Sequence, residues 1–166
     1  GTCVTTTVGD CSALGGLYQG DGTSCTTNFV TDGGFEAGVF SGNWDESSTN
    51  FGTPLCTLAC GTGGGTGPRS GDVWAWFGGF LGGPEAGAVE QSVTIPTGAT
   101  SLDFFLEIPV SSGNGTDFLR VRIDGVSVFE AFEDDPFYAG IGYKSVSVPI
   151  AGFADGGSHT LRFESA

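Results

Sequence analysis

Asp117–Phe132 reads DFLRVRIDGVSVFEAF, and this stretch decides the fold. Leu119, Val121 and Ile123 alternate with Arg120 and Arg122, the period of a strand with one apolar face. Asp124-Gly125 follows directly, and an Asp-Gly pair between two alternating runs is the strongest short-range hairpin signal. A two-residue turn there pairs Ile123 with Val126 and Val121 with Val128, which sets Glu130 on the inner-face parity. Working outward, Ser101–Val110 (SLDFFLEIPV) puts Leu102, Phe104, Leu106, Ile108 and Val110 on one face. If Ser111–Gly115 (SSGNG) closes a hairpin with Val110 opposite Asp117, Glu107 faces Arg120, Phe105 faces Arg122, and Asp103 lies beside Asp124.

Further alternating runs occupy Asp72–Phe77, Ala86–Ile95, Tyr143–Pro149 and His159–Glu164. In the last two, Val146, Val148, Leu161 and Phe163 point inward and His159 outward as a solvated histidine. Helix signals are confined to Asp10–Gly15, a capped turn ended by glycine. Many short strands at regular spacing predict an all-β protein, a β-sandwich or jelly roll over residues 28–166. A short Cys-rich N-terminal extension, residues 1–27, precedes it, polar and rich in Thr and Gly.

The 166 residues hold 31 glycines and 14 phenylalanines, with 19 acids against 5 bases for a formal charge of −14. Neutralising phosphates takes clustered Lys and Arg, so nucleic acid and anionic lipid are excluded as partners. No apolar stretch approaches the roughly 18 residues of a membrane span. Residues 1–25 lack the pattern of a secretion signal and the chain has no methionine, so it reads as a processed chain or a segment of a longer one.

The cysteines are Cys3, Cys11, Cys25, Cys56 and Cys60. Their spacings do not match a zinc site, and the single histidine is distant in sequence. Disulfides in an oxidising compartment are expected: Cys56 with Cys60, and two of the N-terminal three, leaving one unpaired or intermolecular.

Several segments carry candidate chemistry. Gly61–Gly71 (GTGGGTGPRSG) superficially suggests a phosphate loop, but Pro68 removes a donor, Arg69 stands where a lysine is needed, and a strand follows. It reads as a surface loop. No nucleophile motif accompanies His159, so no catalytic residues are assigned and an enzyme is not expected. Asp32 and Glu36 bracket the glycines of Thr31–Gly38 (TDGGFEAG), and Glu130 opens an acidic run through Asp135. Calcium takes carboxylates and carbonyls from such turns, which makes Asp32, Glu36 and Glu130 its candidate ligands; solubilising charge is the plainer reading. The aromatics exceed what a core of this size requires. Trp44, Trp76 and Tyr138 are candidate glycan contacts, although Trp74 and Trp76 share one strand face and are equally readable as core. Asn114-Gly115-Thr116 is a glycosylation sequon.

Two resemblances arise on these residues. Gly15–Cys25 (GGLYQGDGTSC) resembles the G-G-x-Y-x-G-D-G-T-x-C core of a short Cys-rich module in secreted proteins of planctomycete-type bacteria. In that module further cysteines lie upstream, which implies the origin of the odd count. From about Asn28 to Ala166 the chain resembles a secreted bacterial jelly-roll domain akin to carbohydrate-binding modules. The matching stretches are GGFEAG, NWDESSTNFGTPLC, SGDVWAWFGG, VEQSVTIP, DFLRVRIDG, VSVPI and ADGGSHTLRFES. The resemblance implies a structural calcium near Glu36 and, in related domains, a further strand after the equivalent of LRFES.

Two functions are therefore expected of a protein outside the cell or at its surface. The first is a non-catalytic structural subunit, self-assembling into a fibre or surface layer by strand or arm exchange. The second is a calcium-stabilised module that binds polysaccharide or mediates adhesion.

Overall fold

The computed structural model describes residues 28–80, 82–111 and 115–166. Nine strands run β1 Asp45–Ser48, β2 Leu55–Thr57, β3 Val73–Ala75, β4 Gly87–Thr94, β5 Ser101–Ile108, β6 Phe118–Ile123, β7 Val126–Phe132, β8 Gly140–Pro149 and β9 Ser158–Ser165. Among the described residues the other regular elements are two short 3-10 turns, Leu58–Cys60 and Ala151–Phe153. Three antiparallel sheets result: β1-β4-β9-β6-β7, β2-β3 and β5-β8. The helical turn expected at Asp10–Gly15 lies outside the described residues.

The alternation that defines each strand also defines the core. Val89 and Val93 of β4, Leu161 of β9 and Val121 and Ile123 of β6 project from the large sheet. They meet Leu102 and Leu106 of β5 and Val146 and Val148 of β8, with Leu55 and Val73 joining the same buried cluster. Phe104 of β5 packs edge-on against Phe129 of β7 and Phe163 of β9, each at 5.3 Å between ring centres. Two layers thus face each other through interleaved side chains, as a β-sandwich requires.

The segment before β1 packs on the core through Phe29, Val30, Phe35 and Trp44. One buried polar side chain anchors this segment. Gln91 on β4 accepts from the Thr31 amide and donates to the Thr31 carbonyl, both at 3.0 Å, so its carboxamide is satisfied although nearly sealed from water.

The Asp124-Gly125 turn forms as expected, both residues in the left-handed region (φ 51° and 78°), and Ile123 pairs with Val126. The register then shifts. Arg122 faces Ser127 but Val121 faces Phe129, so Val128 is an extra residue, a bulge. Past it, parity inverts: Phe129 and Ala131 turn inward, and Glu130 turns outward onto Arg120. This corrects the inner-face placement of Glu130 and the pairing of Val121 with Val128.

The SSGNG hairpin is also corrected. β5 pairs with β8, Leu102 facing Val148 and Phe104 facing Val146, and the chain after β5 crosses to the other layer. Glu107 therefore meets Thr66 and Gly142 instead of Arg120, the Arg69 guanidinium covers Phe105, and Asp103 faces Ser147. Val110 lies beyond the end of β5 and is exposed. His159 is corrected as well: it shares the parity of Leu161 and Phe163, and its side chain is 9% exposed.

Candidate functional site

The residues nominated for calcium are already engaged elsewhere. The Glu36 carboxylate accepts from the amides of Asp72 (3.1 Å) and Val73 (3.2 Å). Gly71 (φ 69°) allows that approach, because a side chain there would collide with the carboxylate. Asp32 accepts from the Ala37 amide at 3.3 Å, and its backbone carbonyl accepts from the Trp44 indole at 3.0 Å. Glu130 pairs with Arg120. Among the described residues no three His, Cys, Asp or Glu side chains gather as a metal-binding group.

The aromatic candidates separate in the same way. Trp44 is 3% exposed and packs between Phe35 and Phe163, so its ring belongs to the core. Tyr138 is half-buried against Phe129 and Phe137. Trp76 lies parallel to Trp74 (6.3 Å, 18°), both half-buried, while Val73 and Ala75 take the core face of that segment. Neither tryptophan is fully buried, because the strand's inward positions fall on its smaller residues.

Cys56 and Cys60 form a disulfide with α-carbons 5.9 Å apart, around the turn Leu58–Cys60. Cys3, Cys11, Cys25 and Asn114 lie outside the described residues. The glycine-rich loop that follows the disulfide is held down as it passes the β5-β8 pair. Glu107 accepts from the amide (3.0 Å) and hydroxyl (2.7 Å) of Thr66, and the Tyr143 hydroxyl donates to the Gly67 carbonyl at 2.6 Å. Burial pushes the Glu107 carboxyl up, but the donors from Gly142 and Thr66 outweigh it and hold the group below its ordinary value.

Three of the five bases lie on the outer face of the large sheet. Arg162 and Arg122 converge on Glu164, at 2.8 and 2.6 Å, Arg162 also reaches Glu90, and Arg120 pairs with Glu130. Burial raises the Glu164 carboxyl, yet the two guanidinium groups bring it below its usual range. At one end of this ladder a cleft of about 460 Å³ opens between Ser47, Thr49, Phe118, Arg162 and Glu164, floored by Ala86 and Gly87. The ladder was not legible in the sequence, since it needs β9 placed between β4 and β6.

His159 sits at the rim of the core between two carboxylates. Nδ1 lies 2.7 Å from Asp124 and Nε2 3.0 Å from Asp155, while the Phe153 ring stands edge-on to the imidazole. The hydrogen bonds to Asp124 and then Asp155 raise the imidazole above its ordinary value. Asp124 is held low by the Thr160 amide and then His159, and Asp155 by the Gly157 amide and then His159. Both nitrogens face acceptors, which suits an imidazolium clamp and leaves no free lone pair for proton abstraction.

The remaining feature is an edge. Ile150 donates to Thr100 O at 3.0 Å, and with Leu102 opposite Val148 this puts Leu102, Phe104 and Leu106 in the hydrogen-bonded pairs with β8. The amides and carbonyls of Ser101, Asp103 and Phe105 point the other way. Among the described residues β8 is the only strand that pairs with β5, and β2-β3 forms a separate sheet. Among the described residues the strands outside the five-stranded sheet therefore form two separate pairs, both contributing side chains to the one core.

No protein family, no curated protein and no solved structure matches this chain.

Proposed function

We propose that this chain is a non-catalytic building unit of an extracellular fibre or surface layer, its copies joined by exchange of a strand or arm. The observation that carries the reading is the divided pairing: besides the five-stranded sheet, the remaining described strands form two separate pairs, and no other described strand pairs with β5. The crossings between sheets support a jelly roll; among the described strands only β2-β3 and β6-β7 are consecutive neighbours within a sheet. A strand supplied by a neighbour covers such an edge by main-chain hydrogen bonds, and a head-to-tail contact of this kind propagates without closing. The Cys56–Cys60 disulfide supports a place outside the reducing cytosol. Light scattering and negative-stain microscopy of the purified chain test this: assemblies should grow with concentration. Monodisperse monomers at every concentration would refute it.

The cleft favours a second reading, binding of polysaccharide. Its hydroxyls, guanidinium and carboxylate offer paired hydrogen bonds to sugar hydroxyls, and Phe118 offers an apolar wall. Retention on polysaccharide gels, with and without calcium, tests it, and passage without delay in both cases excludes it.

A further inference from the structure

We infer that the acceptor surface of this protein is the edge of β5 with which no other described strand pairs, Ser101–Phe105, and that its occupant is an extended strand from a second copy of this chain. The inference rests on the building-unit reading and specifies where the units join.

The edges exposed by the sheets differ in a way that singles out β5. Proteins blunt exposed strand edges with short strands, bulges, prolines and lysines. β1 is only four residues long, and β2 and β3 are three each. β7 is bulged at Val128. β8 carries Pro149 opposite Ser101, in a non-bonded pair, so its missing N–H falls on the outer side; it also carries Lys144 and left-handed Gly140 and Gly142. Apart from the exposed Asp103 carboxylate, Ser101–Leu106 has none of these devices. It is regular, rich in leucine and phenylalanine, and its register shifts only between Leu106 and Ile108.

A strand laid along this edge meets outward N–H and C=O groups at Ser101, Asp103 and Phe105. Its alternate side chains enter the apolar layer beside Leu102, Phe104 and Leu106, toward the large sheet. The opposite side chains lie level with Phe105 and Glu107, where Arg69 and Thr66 of the glycine-rich loop already sit. The slot thus selects a segment with β-branched or apolar residues at alternate positions and small polar ones between. The chain itself contains such a composition before Asn28: Thr2–Val8 reads TCVTTTV, β-branched at every position but Cys3. The 27 residues before Asn28 span at most about 90 Å when extended, enough to reach another copy.

Amide hydrogen exchange on assembled and dilute protein, with Asp103→Pro and Ser147→Pro variants, tests the inference. The Asp103 amide points outward, so proline there removes no bond to β8. Ser147→Pro makes the same change on the blunted edge opposite. The Asp103 and Phe105 amides should slow by about 100-fold or more on assembly. Asp103→Pro should abolish assembly while Ser147→Pro assembles as the parent does. Assembly that leaves both amides exchanging freely, or that survives Asp103→Pro, overturns the edge and leaves the building-unit reading standing. Amides already protected in the dilute monomer show the slot filled from within one chain and overturn the second-copy occupant. Failure of the parent protein to assemble at all overturns the building-unit reading itself.

Discussion

His159 holds three parts of the protein together through one ring: the β6-β7 turn at Asp124, the turn before β9 at Asp155, and the first residues of β9. The sign of its pH dependence follows from the directions of the shifts. Asp124 and Asp155 titrate below their ordinary values, so their contribution is present above roughly pH 4 and is lost as pH falls through their lowered values. His159 titrates above its ordinary value, so its contribution is full below roughly pH 6.5 and is lost as pH rises through the raised value. The clamp is therefore complete between those limits. Thermal melts of the parent and of His159→Gln across pH 3–10 should differ most within that window and converge on both sides; a constant difference would show that the ring acts by packing alone.

At the scale of elements, the β6-β7 hairpin shows what alternation carries and what it omits. Leu102, Phe104, Leu106, Leu119, Val121, Val146, Val148 and Leu161 all face the core as their periodicity demands, because the pleat leaves a strand only two faces. The Asp-Gly turn was legible for an equally local reason. Partners were not. Nothing in SLDFFLEI distinguishes β8 from β6 as its neighbour, since both offer an apolar face of the right period. The bulge escaped for a third reason: at VSVFEAF either parity buries apolar groups, and what decides is that Phe129 and Ala131 fill the layer while Glu130 finds Arg120. Deleting Val128 should remove the bulge and keep Phe129 opposite Val121 and Glu130 opposite Arg120, so urea unfolding should change by only about 1 kcal/mol, from the lost local twist. A loss of about 3 kcal/mol or more would mean that the bulge itself sets the course of the strand. The surroundings of the candidate sites were less legible still: the amides that donate to Glu36 come from residues 72 and 73, far from it in sequence.

For the molecule as a whole, charge sets a condition on assembly. Each copy carries a formal −14, and Arg120, Arg122 and Arg162 are already neutralised within the ladder on the large sheet. Bringing copies together costs mutual repulsion, which salt screens: the Debye length falls from about 30 Å at 0.01 M to about 8 Å at 0.15 M. The concentration at which light scattering rises should therefore fall on raising ionic strength across that range. A rise instead would point to contacts made by opposite charges, which the described surface does not supply in quantity.

In a fibre, the Gln91 carboxamide would also be a mechanical element. A pull arriving from the residues before Asn28 enters the fold near Thr31, and there two hydrogen bonds tie the incoming chain to β4, an interior strand of the large sheet. The force is delivered to a strand paired on both sides, by β1 and β9, so neighbouring strands share the strain and none is peeled away alone. A single amide side chain would thereby act as the rivet between tether and body.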